Sequence, residues 1–172
     1  GDPSGKDAER QLLTKELAAE NAEAIRGQLA HFLDFEVASN AAVMRNNLDW
    51  LSALPLVDFL RDIGKHFSVN QLIAKESMKR RLEDPHVGLS YTEFSYILMQ
   101  SFDFLELYRR DGCTVQFGGS DQWGNITSGT DLIRRVEGGK AFGVVSPLGC
   151  GTELVWQRLL AGRSGLRRDR KS

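Results

Sequence analysis

The longest hydrophobic stretch runs from Tyr91 to Arg110 and contains no Gly or Pro, which predicts a helix. Phe94, Ile97, Leu98, Met99, Phe102, Phe104, Leu105 and Leu107 leave it apolar nearly all round, so this helix is expected to be buried. Asp111-Gly112 is a turn signal, and Cys113–Phe117 reads as a short strand. The glycine-rich run from Gly118 to Asn125 bends the chain into a helix over 126–136, with Ser120 or Asp121 able to cap it. Phe142–Val145 reads as a further strand, ended by Pro147. Upstream, Thr14 is a candidate N-cap for a helix to Leu33, with Glu16, Glu20 and Glu23 toward its start and Ile25, Leu29, Phe32 and Leu33 as its buried stripe. Residues 32–37 read as extended, and 43–47 as a short strand. Pro55 suits the opening of a helix over 56–64, whose apolar face is Leu56, Phe59, Leu60 and Ile63. Ser68 can cap a short helix through Leu72, and the alternating charges of 75–83 predict a solvated helix face that Asp84-Pro85 ends.

Composition changes this picture little. The chain has 172 residues, 41% hydrophobic, with net charge −1, which suits one globular unit and gives no overall sign of a nucleic-acid partner. No run is apolar enough to span a membrane and no signal peptide is apparent. Cys113 and Cys150 have no metal spacing and suggest no disulfide scaffold, so a reducing, cytoplasmic setting is expected. His66 stands alone, so no metal site is expected and a structural role is. One asymmetry stands out: residues 151–172 carry five Arg and one Lys against Glu153 and Asp169.

The polar residues of the 91–110 helix are its candidate chemistry. Tyr96, Gln100 and Asp103 fall within roughly 60° of one another on the helix surface. A phenol, an amide and a carboxylate on a buried face need partners, since each costs several kcal/mol unpaired. They form either a polar network between helices or a pocket for a small polar ligand. Strand, glycine bend and helix place backbone N–H groups outside the carboxyl end of a strand, where a ligand can sit. Gly118 and Gly119 allow close backbone approach. Asp121, if it does not cap, can accept from ribose hydroxyls. At the beginning, GDPSGK is not a phosphate loop: its spacing is GxxxGK, and Asp7 stands where Ser or Thr should bind magnesium.

SYTEFSYILMQSFDFL followed by QFGGSDQWGNITSG resembles the tyrosine- and ribose-binding region of tyrosyl-tRNA synthetases of bacterial and mitochondrial type, class I aminoacyl-tRNA synthetases. The likeness also covers GDPSGKDAER, FLDF, NNLDW and FLRDIGKHFSVNQLIAKES, and runs from Gly1 to about Leu148. It implies an α/β fold: a partial Rossmann-like catalytic domain over 1–148, with a helical inserted segment at about 45–90 that commonly carries the subunit interface and the tRNA acceptor-stem site. It implies a tyrosine–tRNA ligase that uses ATP with Mg2+, takes L-tyrosine and tRNA-Tyr, and is a homodimer at full length. Asp2, Tyr96, Gln100, Asp103 and Gln122 would bind tyrosine, with Asp103 on the phenol and Tyr96, Gln100 and Asp2 around the α-amino group. Gly119 and Asp121 would bind the nucleotide. Lys6 and Arg10 would be the catalytic cations that clamp pyrophosphate.

Beyond Leu148 the likeness fails. A lysine-rich loop of the K-F-G-K-T kind is expected there, and the chain has GTELVWQRLLAGRSGLRRDRKS instead. H-x-G-H and the first strand, with its substrate-contacting tyrosine, are absent too. The expectation is an incomplete catalytic domain, inactive alone, with 149–172 a disordered or frameshifted basic tail. The alternative for the tail is contact with nucleic acid. For the whole chain the alternatives are a non-catalytic tyrosine- or tRNA-binding or dimerising module, or a tryptophan–tRNA ligase. Against the last, indole offers no phenol for Asp103.

Overall fold

The computed structural model describes residues 13–83 and 88–147. Two compact units divide them, one holding 13–44 and the other 45–146.

In the first unit, helix α1 spans Lys15–Leu29. Thr14 caps it as expected, accepting from the Leu17 N–H at 3.2 Å. The expected stripe is not buried: Ile25, Phe32 and Leu33 are 46%, 67% and 46% exposed. Among the described residues of its unit α1 has no second helix or strand to pack on, so these side chains find no apolar partner there. The helix also ends earlier than expected. Residues 31–33 turn, and Asp34 closes the next bend by accepting from the Glu36 and Val37 N–H groups at 2.8 and 3.1 Å, which replaces the extended reading of 32–37.

The second unit opens with residues 45–46 irregular rather than as a strand. Short helices follow: α2 (Leu48–Leu51), α3 (Leu56–Asp62), α4 (Val69–Ile73) and α5 (Glu76–Glu83), with a 3-10 turn at Gly64–His66. Pro55 and Ser68 hold the N-cap positions of α3 and α4, but Ser68 makes no side-chain cap. Helix α6 (Tyr91–Asp111) is the longest element. A capping box sets its start, with the Ser90 hydroxyl accepting from the Glu93 N–H while the Glu93 carboxylate accepts from the Ser90 N–H. Gly112, at φ 64°, ends it in the left-handed conformation.

Strand β1 (Val115–Gly119) then leads through a 3-10 turn into α7 (Trp123–Glu137) and on to β2 (Phe142–Ser146). The two strands pair in parallel, Val115 opposite Phe142 and Gly119 opposite Ser146, so 115–146 is a βαβ unit. Strand β1 runs two residues later than its sequence pattern suggests. Helix α7 begins at Trp123 with Gln122 as an N-cap lacking a side-chain bond, so neither Ser120 nor Asp121 caps it.

The core lies between α6 and α7. Phe104, Leu105, Leu132 and Ile133 are at most 1% exposed, and Trp50 of α2, Ile63 at the C-cap of α3 and Phe102 of α6 join them. Each large apolar side chain buried in this way contributes about 1.5–3 kcal/mol. Phe59 of α3 meets Phe102 edge to ring at 5.9 Å. Leu72, Ile97 and Leu98 form a second cluster with Phe59, Phe67 and Phe94. The predicted α3 face is half realised: Ile63 is buried, while Leu56 and Leu60 are 70% and 47% exposed. No described helix is long and apolar enough to cross a membrane.

Candidate functional site

The close approach of α6 to α7 builds the site. Gly129 has no side chain where α7 meets Phe104, and a Cβ there would lie 2.8 Å from the ring. At the other end of α7, a Cβ on Gly118 would lie 3.2 Å from Gln122 and Ile126, so the strand end also sits close against the helix start. Gln100 of α6 is thereby brought to Gln122, donating to its Oε1 at 3.4 Å. The same Oε1 accepts from the Asn125 side chain at 3.1 Å, and Gln122 donates to Asp121 at 3.1 Å. Gly119 ends β1 immediately before this cluster. The Oε1 atoms of Gln100 and of Gln116, on β1, are buried with no hydrogen-bond partner among the described residues.

Asp103 lies two turns of helix from Tyr96 and is held by a different element. Its Oδ1 accepts from the Trp50 indole N–H at 2.7 Å, and its Oδ2 from the Asn47 amide at 3.0 Å. Burial pushes its carboxyl above the usual carboxylate range, and the two donors pull it part of the way back. Two donors do not saturate a carboxylate, which has about four acceptor positions. The segment that presents them is tied to the end of α6 by Arg45, whose guanidinium grips Asp111, its Nε donating at 3.0 Å. The half-buried Tyr96 stands on the α6 face that carries Gln100 and Asp103.

Of the residues singled out in the sequence, then, Gln100, Gln122, Asp121 and Gly119 are brought together around the start of α7. Asp103 is built in with Asn47 and Trp50 instead. Asp2, Lys6 and Arg10 lie outside the described residues, as does the 149–172 tail. Asn47, Trp50, Asn125 and Gln116 are polar groups that hydrophobic periodicity missed. The signal available for the first two was NNLDW, a polar cluster with an indole in a stretch lacking a clear period. Among the described residues, no group of three or more His, Cys, Asp or Glu side chains could hold a metal ion.

A second cleft of about 280 Å³ lies between α4 and α7, lined by His66, Gln71, Lys75, Asp131 and Arg135. Arg135 donates to the His66 carbonyl at 3.0 Å and Lys75 to the Gly124 carbonyl at 2.9 Å. Burial holds the Lys75 ammonium below its usual range.

The chain is similar to known proteins in sequence and in fold. The family described as tRNA synthetases class I (W and Y) matches residues 1–163. A tyrosine–tRNA ligase of Enterococcus faecalis is 55% identical over 148 residues, covering 86% of this chain and 34% of its own length. One from Bacillus subtilis is 54% identical over 150 residues, covering 86% and 35%. The chain thus spans about a third of the length of the curated relatives it matches. Among solved structures, a C-terminally truncated mitochondrial tyrosyl-tRNA synthetase of Aspergillus nidulans superposes with TM-score 0.65 at 29% identity, over 81% of this chain and 41% of that one. The corresponding Coccidioides posadasii structure gives 0.66 at 22% identity, over 88% and 47%, a likeness of fold.

Proposed function

The chain belongs to the class I tRNA synthetases of the W and Y family, and from that premise we propose that it is the tyrosine-binding part of a tyrosine–tRNA ligase. The observation that carries the reading is a line of polar groups on one buried helix with needs at both ends. Toward one end, the buried Gln100 Oε1 lacks a donor. A buried acceptor left so costs about 1–3 kcal/mol, which an α-ammonium group would recover. Toward the other, the Asp103 carboxylate is fixed by two donors and retains acceptor positions for a phenol O–H. A substrate lacking that hydroxyl leaves a half-buried charge underpaired, which is how the site would refuse phenylalanine. Indole offers no equivalent hydroxyl.

In this reading Tyr96 and Gln100 hold the amino end with Asp2, and Gln122 completes the pocket. Gly119 and Asp121 take the ribose of ATP. The tyrosine carboxylate then attacks the α-phosphate, giving tyrosyl-adenylate and pyrophosphate, and the tyrosyl group passes to the terminal adenosine of tRNA-Tyr. Lys6 and Arg10 would act on the pyrophosphate charge as it develops, so their loss would lower rate more than ground-state binding. ATP would bring Mg2+ with it. A homodimer of the full-length protein fits the exposure of Leu56, Val57, Val69 and Tyr91, at 70%, 73%, 58% and 73%, and the cytoplasm is the compartment we propose for it.

The test is amino-acid-dependent exchange of pyrophosphate into ATP by the full-length protein that carries these residues, with tyrosine and with phenylalanine. Asp103→Ala should abolish the preference for tyrosine. A variant that still rejected phenylalanine strongly would show that Asp103 does not read the phenol.

A further inference from the structure

Trp50 does more than fill the core. Its N–H edge meets Asp103, while its ring borders an open cleft of about 490 Å³ lined also by Asp58, Asp62, Glu106 and Arg109. What stands over its ring is Arg110, whose guanidinium carbon lies 5.4 Å from the ring centroid, within cation–π range. Arg110 is aimed by the buried Glu106, to which its Nε donates at 2.8 Å. Glu106 is held in turn by Arg109 at 3.1 Å, and Arg109 by Glu137 of α7. Asp103 and Arg110 are seven residues apart, so they share one face of α6 two turns apart. The indole is gripped between them, by its N–H at one turn and by its ring at the other.

We propose that Arg110 is a positioning residue for amino-acid selection: it holds the Trp50 indole against α6 so that the indole N–H stays on the Asp103 carboxylate. The proposal rests on the reading of Asp103 as the group that meets the phenol. Arg110 itself touches no substrate, and acts through Trp50. Its side chain is 50% exposed, and Glu106 keeps Arg109 as a partner when Arg110 is replaced, so removing it leaves the core filled.

The experiment is a double-mutant cycle in the full-length protein, read as the ratio of kcat/KM for tyrosine over phenylalanine in pyrophosphate exchange. Arg110→Leu should lower that ratio by about two- to fivefold. A purely structural defect would lower both substrates together and leave the ratio alone. In a Trp50→Phe background, which has no indole N–H to position, Arg110→Leu should change the ratio no further. Arg110→Lys, which keeps a cation beside the ring, should recover part of the loss. An unchanged ratio in Arg110→Leu overturns the proposal, and so does an equal fall with and without Trp50. Asp103→Asn run alongside separates the two levels. If it leaves the ratio intact, the reading of the pocket fails and the proposal with it. If it collapses the ratio while Arg110→Leu does not, the role of Arg110 alone fails.

Discussion

Gly129→Ala tests the contact that brings Gln100 to Gln122. In an open helix this substitution is favourable, because alanine exceeds glycine in helix propensity by about 0.8–1 kcal/mol. Here the new methyl would stand 2.8 Å from Phe104 Cδ1 and 3.1 Å from its Cβ, against an ordinary contact of 3.4 Å or more. Phe104 is 1% exposed and packed in the main core, so it cannot swing aside. The helices must part by a large fraction of an ångström, and overpacking of this kind costs about 1–3 kcal/mol. The balance is a net loss of about 1 kcal/mol. Gly27→Ala is the control for sign: nothing lies within 4 Å of a Cβ there, so α1 should gain a few tenths to about 1 kcal/mol. Amide hydrogen exchange resolves each helix separately. Protection in α6 and α7 should fall about fivefold in Gly129→Ala, and protection in α1 should rise in Gly27→Ala. The Gln100–Gln122 bond, already 3.4 Å, would be stretched past useful length, so tyrosine KM should rise with it. If Gly129→Ala strengthened protection in α6 and α7, the close approach of the two helices would be refuted.

Three other substitutions probe the same helix. Asp103→Asn should destroy selectivity, and its stability relative to wild type should rise with pH. An acid whose folded pKa lies above its unfolded value holds more protons when folded, so wild-type stability falls as pH rises through that interval. The melting temperature of Asp103→Asn minus that of wild type should therefore be more positive near pH 7 than near pH 3, and a difference that fell with rising pH would reverse the sign of the argument. Ser90→Ala removes one half of the capping box and should cost about 1 kcal/mol in urea titration, with no change in the tyrosine-to-phenylalanine ratio. Gly112→Ala forces a side chain into φ 64° and should cost about 1 kcal/mol in the same assay, where a neutral result would mean that the helix end relaxes freely.

The βαβ unit and α6 were legible because each carries a strong local signal: an unbroken apolar run, a turn dipeptide, a glycine bend. The Gln100–Gln122 pairing was legible only as a need, since a buried amide must find a partner that periodicity cannot name. The partners of Asp103 were harder. Asn47 and Trp50 sit more than fifty residues upstream, in a stretch whose apolar positions follow neither helical nor strand spacing. The misread α1 stripe shows the converse: amphipathic spacing says which side of a helix is apolar, not that the same unit covers it. Strand β1 slid by two residues because Cys113 and Thr114 have strand propensity but lie before the pairing with Phe142 begins.

The bracketing of α6, by a capping box at Ser90 and a left-handed glycine at Gly112, fixes a length as well as a boundary. A helix rises by about 1.5 Å per residue and does not stretch, so Tyr96 and Asp103 are spaced like graduations about 10.5 Å apart. On the proposed reading this makes α6 a ruler laid beside the amino acid. A side chain whose polar tip falls short of the second mark or overshoots it is rejected by size before its chemistry is sampled. Analogues with the hydroxyl moved around the ring should then fare worse than their hydrogen-bonding capacity alone would suggest.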